Sequence, residues 1–164
     1  MLVLNFLAVL LLGKELVSLS PRACWLNTQQ KLNAKAAAVI ERVIADAEKD
    51  GMCLVVASSY RTREQQAKLY AANAYAAKPG TSEHEKGFAV DFTACPMKDG
   101  KRDDSVERLE LRKPFNELPE YRWLKEHAEK YGLVESYRVD NQKKTGLPPE
   151  PWHWRVNPLF LLLR

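Results

Sequence analysis

Two short polar stretches, far apart in the chain, constrain the fold more than any other feature of the sequence. The first is Ser82–Asp91, which reads SEHEKGFAVD, and the second is Glu150–Arg155, which reads EPWHWR. Together they contain two of the three histidines of the chain. Two imidazoles and an aspartate are the donor set of a catalytic zinc site, which has three protein ligands and an open position for water. The spare glutamate is suited to be the base that takes a proton from that water. If the two stretches share one metal, the fold must bring them into contact.

The length and composition fit one ordinary globular domain. The chain has 164 residues, 46% of them hydrophobic and 28% charged, and a chain of this length buries enough surface to fold without disulfides. The net charge of +4 is mild and the basic residues are dispersed, so we expect no nucleic-acid partner. The three cysteines lack a CxxC pair, which argues against a structural zinc knuckle. One disulfide with a free thiol and three buried thiols both remain open.

The beginning of the chain differs from the rest in composition. Residues 1–12 read MLVLNFLAVLLL, a length typical of the apolar region of a signal peptide and too short to span a bilayer readily. No Lys or Arg precedes this run, and no clear A-x-A cleavage site follows it. A signal or anchor with membrane contact through residues 1–12 and a buried first element of the fold both remain open. We divide the chain into an N-terminal segment, residues 1–30, which contains this apolar run, and a domain over residues 31–164.

Hydrophobic periodicity predicts helices packed on a small sheet. Three helices are predicted, at residues 33–49, 63–77 and 121–131. Thr62 is the expected N-cap of the second helix. Four short strands are predicted, at residues 52–57, 88–93, 133–137 and 152–156. Two polar loops are predicted, at residues 95–105 and 140–149. This order is typical of an α+β domain with a small, mostly antiparallel sheet and flanking helices.

The spacing within the two stretches favours a metal site built from a loop and two strands. His84 precedes Asp91 by seven residues, so a turn at Gly87 must bring the histidine back over the strand that carries the aspartate. His153 would supply the third ligand, and the proline after Glu150 would bend the chain so that the glutamate faces the same cavity. Zinc accepts these donors in a tetrahedral shell and leaves a position for water. A neighbouring glutamate can accept a proton from that water.

Each candidate also has a purely structural interpretation. His153 lies between two tryptophans, where a histidine is commonly packed or surface exposed. Asp91 lies in an apolar strand, where an unpaired carboxylate is costly, so a buried ion pair with Arg155 is the alternative to a ligand role. His127 is predicted to be an exposed helix residue. A solvated rim is predicted from three charged neighbours of His84, namely Glu83, Glu85 and Lys86.

The two stretches in this order resemble the VanY-type D-alanyl-D-alanine carboxypeptidases, a family of zinc peptidoglycan peptidases grouped with VanX-like dipeptidases and some phage endolysins. The resemblance is carried by the SxHxxGxAxD pattern of residues 82–91 and by EPWHWR at residues 150–155. Residues 58–62, which read SSYRT, are similar to the S-G-Y-R-S segment of the family. The resemblance covers roughly residues 33–156.

The resemblance implies roles for individual residues. It implies one zinc ion held by His84, Asp91 and His153, with Glu150 as the catalytic base. Arg61 would face the scissile carbonyl oxygen, where a guanidinium stabilises the developing oxyanion, and a salt bridge at the strand end is its structural alternative. Three residues are implied to line the substrate pocket, namely Gln66, Ser82 and Trp152.

The implied reaction is hydrolysis of the terminal D-alanine of peptidoglycan stem peptides by a metal-activated water. Three alternatives remain open: an endopeptidase that cuts an L-Ala–D-Glu bond or a cross-bridge, a peptidoglycan-binding module without turnover, and a metal-free structural domain. Glu150 argues against a binding module, which has no need of a base. We expect a monomer that acts on a stem peptide or its precursor in the cell envelope, periplasmic or extracellular, with the cytoplasm as the alternative.

Overall fold

The computed structural model describes residues 11–13, 15–24, 28–73, 75–95, 97–99, 101–102 and 114–163. Three predicted elements fall partly outside these ranges: the apolar run at residues 1–12, of which residues 1–10 are not described, the helix at residues 63–77, of which residue 74 is not described, and the polar loop at residues 95–105.

A four-stranded antiparallel sheet lies at the centre of the fold. The described strands are, in chain order, β1 (Leu16–Ser18), β2 (Lys31–Asn33), β3 (Leu54–Ser58), β4 (Ala89–Ala94), β5 (Met97–Lys98), β6 (Lys101–Arg102), β7 (Leu133–Glu135) and β8 (His153–Val156). The central sheet has the spatial order β3-β4-β8-β7, and each neighbouring pair is antiparallel. Its strands are the four predicted from the sequence, with ends that differ by at most two residues. The predicted α+β class is therefore confirmed.

Two short strand pairs lie outside the central sheet. Strands β1 and β2 pair with each other, and β5 pairs with β6. The second pair lies where the sequence predicts a polar loop. The prediction is wrong there because Asp99 takes a left-handed backbone conformation, with φ of 52°, and reverses the chain so that its two sides can pair.

The described α-helices flank this sheet. They are α1 (Ala34–Lys49), α2 (Arg63–Ala72), α3 (Pro119–His127), α4 (Gln142–Thr145) and α5 (Pro158–Leu162). Thr62 is the N-cap of α2, as predicted, and forms a capping box with Gln65. Helix α2 ends at Ala72 rather than at residue 77, because the Asn73 side chain accepts a hydrogen bond from the Tyr75 amide at 3.0 Å and turns the chain.

The other helix predictions need smaller corrections. Helix α1 has the predicted extent, with Asn33 as its N-cap. Helix α3 starts at Pro119, two residues earlier than predicted, since proline is favoured in the first turn. The last predicted turn of this helix, Ala128–Tyr131, is a 3-10 helix. Helix α4 occupies part of the predicted polar loop at residues 140–149 and is a single turn that ends at Gly146.

The hydrophobic core lies between α1 and one face of the central sheet. Helix α1 contributes Ile40 and Val43, and both are fully buried. Strand β4 contributes Val90 and Phe92, so Asp91 between them faces the opposite side of the sheet. On β8 the core-facing residues are Trp154 and Val156, which belong to the same hydrophobic cluster. The alternation of β4 and β8 therefore assigns one face to the core and leaves the other for polar side chains.

Residues before position 31 also contribute to this core. Leu19, Ala23 and Cys24 are buried in the main hydrophobic cluster, and Cys24 forms a single bridge with Val56 of β3. These contacts favour a first element of the fold for residues 15–24, while the boundary at residue 30 stays a prediction. None of the helices in the described ranges is long and apolar enough to cross a membrane.

The cysteines follow one of the two arrangements that the sequence leaves open. Cys53 and Cys95 form a disulfide, and the Cys95 amide donates a hydrogen bond to the Cys53 carbonyl at 2.9 Å. The disulfide lies just beyond the pair of Leu54 with Ala94, at one end of β3 and β4. Cys24 is buried.

Candidate metal centre

The three predicted ligands meet on the face of the sheet that points away from α1. Asp91 on β4 and His153 on β8 are directly opposite each other in the strand register, so their side chains emerge side by side. His84 reaches the same point from the 3-10 turn His84–Lys86. Gly87 ends that turn with φ of 75°, which confirms the predicted reversal of the chain before β4.

The distances between the ligand atoms suit a small divalent cation. His84 Nε2 lies 3.3 Å from Asp91 Oδ1, and His153 Nδ1 lies 3.0 Å from the same oxygen. One donor atom from each of the three residues lies within 4.8 Å of the others. Ligand atoms bound at about 2.0–2.2 Å in a tetrahedral shell are roughly 3.3–3.6 Å apart. The donor set therefore fits zinc with small adjustments.

Each imidazole makes a second polar contact on the side of its ring that points away from the Asp91 carboxylate. His84 Nδ1 lies 2.7 Å from the backbone oxygen of Ser59. Since a carbonyl oxygen only accepts, Nδ1 carries the proton and Nε2 keeps a lone pair for a metal. His153 Nε2 lies 3.1 Å from Glu83 Oε2, so its Nδ1 is the nitrogen that faces Asp91. Such outer contacts are a general feature of histidine ligands.

Asp91 and His153 strongly affect each other's pKa. Burial alone would lower the pKa of His153, but its hydrogen bonds with Asp91 and Glu83 outweigh burial and raise the pKa to about 9. Burial alone would raise the pKa of Asp91, but hydrogen bonds with His153 and His84 hold it well below the usual range. A proton on His153 and a cation would compete for the same position, so metal binding is expected to be coupled to proton release.

Glu150 reaches the same cavity through a tight turn. The His153 amide donates to the Glu150 carbonyl at 2.9 Å, and the Glu150 amide donates to the Tyr137 carbonyl at 2.9 Å. The turn confirms the predicted bend and leaves Glu150 Oε2 3.9 Å from His153 Nδ1. Burial raises the pKa of Glu150 above its ordinary value, and the neighbouring His153 opposes that shift. Glu150 is beside the ligands without being one of the three.

One cavity, with about 470 Å³ of empty space that is partly open to solvent, contains every predicted site residue. The predicted residues that line it are Arg61, Gln66, Ser82, His84, Asp91, Glu150, Trp152 and His153. Ser82 and Gln66 are buried, whereas Trp152 is 41% exposed. The sequence therefore identified residues that the fold brings together, and their individual roles stay predictions.

Arg61 is held by neutral partners. Its guanidinium donates from Nη1 to Gln66 Oε1 at 2.7 Å and from Nη2 to Ser58 Oγ at 3.0 Å. Gln66 in turn donates to the Ala77 carbonyl at 2.7 Å. Among the ion pairs of the described residues, none involves Arg61, so the strand-end salt bridge is not formed. A rigid guanidinium therefore faces the cavity without a carboxylate partner.

Glu83 corrects two of the sequence predictions. It is not part of a solvated rim, because its half-buried carboxylate contacts His153 Nε2 and accepts a hydrogen bond from Ser136 Oγ. Arg155 Nε lies 3.1 Å from Glu83 Oε1, so the arginine pairs with Glu83 rather than with Asp91. The sequence carries no signal that separates Glu83 from Glu85, since both flank His84. Glu85 instead accepts from the Gly80 amide at 2.8 Å.

Two further residues differ from the expectation. Tyr137, predicted only as the end of a strand, lines the cavity, and its ring centre lies 4.8 Å from that of His153. Burial and nearby carboxylates raise the pKa of its hydroxyl. His127 is half-buried rather than exposed, because its ring stacks on Trp123 at 4.5 Å. It does not line the cavity.

Comparison of the sequence with known families and proteins gives a consistent result. A family model described as VanY: D-alanyl-D-alanine carboxypeptidase matches residues 29–159. A D-alanyl-D-alanine carboxypeptidase of Enterococcus faecalis is 31% identical over 149 residues, which covers 79% of this chain and 50% of the relative. The chain thus spans about half the length of that curated relative.

Solved structures with the same fold include three with informative ligands or activities. VanYB in complex with D-alanine-D-alanine has 29% identity and a TM-score of 0.65, covering 92% of this chain and 81% of that one. A mutant of the D,D-pentapeptidase VanY in complex with Zn(II) has 27% identity and a TM-score of 0.65, covering 93% of this chain and 85% of that one. The L,D-carboxypeptidase DacB of a pneumococcus has 29% identity and a TM-score of 0.56, covering 76% of this chain and 66% of that one.

Proposed function

Because this chain belongs to the VanY family of D-alanyl-D-alanine carboxypeptidases, we propose that it is a zinc-dependent hydrolase that releases the terminal D-alanine of peptidoglycan stem peptides. The observation that carries the proposal is the convergence of three ligand atoms, from His84, Asp91 and His153, in a cavity that also holds Glu150 and Arg61. The relatives support it, since one VanY structure contains Zn(II) and another contains D-alanine-D-alanine.

One zinc ion is the proposed cofactor. His84 would hold it through Nε2 and His153 through Nδ1, with the carboxylate of Asp91 as the third ligand. When bound in such a site, zinc lowers the pKa of a coordinated water towards about 7 and polarises a carbonyl oxygen. The buried partners of both imidazoles keep the required lone pairs directed at one point.

Glu150 is the proposed general base and acid. It accepts a proton from the attacking water and delivers a proton to the nitrogen of the departing D-alanine. The water oxygen forms a bond to the carbonyl carbon of the penultimate D-alanine, and the carbon–nitrogen bond breaks. The products are a shortened peptide with a new carboxylate and free D-alanine. A pKa raised by burial suits Glu150 to this work, because it brings the carboxyl closer to neutral pH.

Arg61 and three pocket residues are proposed to hold the substrate. The guanidinium of Arg61, fixed by Gln66 and Ser58, stabilises the negative charge that develops on the scissile carbonyl oxygen. Ser82 and Gln66 present polar groups along the cavity wall. Trp152 offers an exposed ring at the cavity for contact with the stem peptide.

The direct test is release of free D-alanine from a stem pentapeptide by the zinc-loaded protein. Wild type is compared with Glu150→Ala and with Glu126→Ala, which removes an exposed glutamate of α3 outside the cavity. We expect release by wild type and Glu126→Ala, and a loss of roughly 100-fold or more in Glu150→Ala with stoichiometric zinc retained. Equal rates for wild type and Glu150→Ala would refute the proposed base.

A second candidate activity is that of an L,D-carboxypeptidase. It is favoured by the 29% identity to DacB, a protein of that activity. A stem tetrapeptide, which ends in a single D-alanine after an L-centre, separates the two activities. Release from the pentapeptide only would establish the D,D-activity, whereas release from the tetrapeptide only would establish the L,D-activity. Cleavage of whole peptidoglycan without release of D-alanine would indicate an endopeptidase, and zinc binding without any turnover would indicate a binding module.

The proposed place of action is the cell envelope or its exterior, where peptidoglycan lies. We further propose that residues 31–164 form the catalytic domain, that residues 1–12 contact the membrane, and that the protein is a monomer. The apolar run at residues 1–12 supports the membrane contact. Cell fractionation of the full chain and of a variant that lacks residues 1–12 tests it, and light scattering tests the monomer.

A further inference from the structure

Glu83 contacts the third ligand although it lies next to the first ligand in sequence. His84 directs its ring towards Asp91, whereas Glu83 directs its carboxylate to the far side of His153, with Oε2 3.1 Å from Nε2. The Glu83 side chain is 23% exposed and that of His153 is 3% exposed. The contact therefore lies mostly out of water, where a charged hydrogen bond is strong.

Two other groups hold the Glu83 carboxylate in place. Arg155 Nε lies 3.1 Å from Oε1, and Ser136 Oγ donates a hydrogen bond to Oε2. Arg155 is two residues after His153 on β8, so both side chains lie on the same face of the strand. Arg155 supplies a positive charge that offsets the cost of burying the carboxylate. Glu83 is thus fixed by β8 and by the segment after β7.

The position of Glu83 decides which nitrogen of His153 is available. A carboxylate accepts a hydrogen bond from Nε2–H, and the neutral imidazole then has its lone pair on Nδ1. Nδ1 is the nitrogen that lies 3.0 Å from Asp91. Rotation of the ring would exchange these positions, and the Glu83 contact opposes that rotation.

We propose that Glu83 is a positioning residue that holds the His153 imidazole by Nε2 and so reserves Nδ1 for zinc. The inference rests on the proposed zinc site and goes beyond it, because Glu83 acts through His153 and does not touch the metal or the substrate. The inference also links the two sequence motifs physically, since Glu83 in the first motif orients His153 in the second.

Zinc affinity and the proton position of His153 test the inference without any assay of activity. The variant is Glu83→Gln, which keeps the size of the side chain and removes its charge. The control is Glu85→Gln, which makes the same change in the same turn at a residue that contacts Gly80 and none of the ligands. Zinc dissociation constants are measured by competition with a chromophoric chelator, after circular dichroism has verified that each metal-free protein is folded. Histidine 15N spectra of the zinc-loaded wild type identify the nitrogen of His153 that carries the proton.

We expect Glu83→Gln to bind zinc about 10–100-fold more weakly than wild type, and Glu85→Gln to bind it equally well. We also expect a proton on Nε2 of His153 in the zinc-loaded wild type. If Glu83→Gln fails to fold, Ser136→Ala, which removes one support of Glu83, is expected to weaken zinc binding by a smaller factor. Equal affinity in the folded Glu83 variant, or zinc bound through Nε2, would overturn the inference alone. Absence of zinc binding by wild type would overturn the proposed function with it.

Discussion

The three carboxylates around His153 differ in their partners, and the partners separate their chemistry. Hydrogen bonds from the two histidines hold the pKa of Asp91 low, despite its burial. Burial alone would also raise the pKa of Glu83, but its contacts with His153, Ser136 and Arg155 outweigh burial and lower the pKa. Within the described part of the chain no such hydrogen bond reaches the Glu150 carboxylate, and burial raises its pKa. Asp91 and Glu83 thus stay ionised, while the carboxyl of Glu150 is suited to exchange protons.

The metal-free protein is expected to lose stability as the pH rises from about 6.5 to 9. Burial disfavours charged His153, but hydrogen bonds with Asp91 and Glu83 raise its pKa to about 9 in the folded state, against about 6.5 in an unfolded chain. A group with a raised folded pKa stabilises the fold fully below the unfolded pKa, and this contribution disappears as the pH passes the folded pKa. The difference corresponds to roughly 3 kcal/mol at most.

Urea unfolding of the metal-free protein at a series of pH values measures this loss. The zinc-loaded protein is the control, because a ligated imidazole carries no exchangeable proton on the ligating nitrogen and its unfolding has no such step. A free energy of unfolding that is constant or increases over this pH range in the metal-free protein would contradict the assignment of the proton to His153.

At the scale of elements, the site depends on the register of two strands and on one turn. Strands β4 and β8 set Asp91 opposite His153, so a slip of one residue would turn one of them into the core. The turn that carries His84 ends at Gly87, where an added Cβ would lie 3.1 Å from a methyl group of Leu16. Strand β1, which contains Leu16, thus packs against the turn that positions the first ligand.

Replacement of Gly87 by alanine is expected to reduce both stability and zinc affinity. The backbone φ of +75° is costly for a residue with a Cβ, by roughly 1–2 kcal/mol, and the contact with Leu16 adds to that cost. A backbone movement that relieves the contact with Leu16 would shift the turn and move His84. Chemical unfolding and zinc titration of Gly87→Ala measure the two effects.

The matched control is Gly51→Ala, at φ of +76° with nothing within 4 Å of the added Cβ. It carries the same conformational cost without the contact and lies at the end of α1, outside the cavity. We expect it to lower stability and to leave zinc affinity unchanged. Similar zinc affinities in the two variants would show that the Gly87 turn does not position His84.

At the scale of the whole molecule, the central sheet separates two tasks. One face packs on α1 and forms the core, and the other carries the proposed ligands and the cavity. The Cys53–Cys95 disulfide joins β3 and β4 beyond the pair of Leu54 with Ala94. Asp91 pairs with Ser58 at the opposite end of the same two strands. The disulfide therefore stabilises the sheet at a distance from the site.

Removal of the disulfide is expected to lower stability while the zinc site persists. The bridge closes a loop with a sequence separation of 42 residues, and loop entropy gives it about 4 kcal/mol of stabilisation. Chemical unfolding of the double variant Cys53→Ala/Cys95→Ala measures the loss, and zinc titration under native conditions follows the site. Full stability in the double variant, or loss of zinc binding while it is folded, would contradict this division of tasks.

The sequence by itself determined the main helix, the four central strands and the three candidate ligands that the fold brings together. Period and composition suffice for α1 and for the strands, because each buries one continuous apolar face. The candidate ligands were recognisable because few residue types bind zinc and because the two motifs that contain them resemble those of the VanY family. Tertiary structure alone decided which neighbour of His84 supports the site, because Glu83 and Glu85 differ only in what lies opposite them. It also decided the Cys53–Cys95 pairing and the inclusion of Tyr137 in the cavity, since these depend on distances between segments that no local pattern encodes.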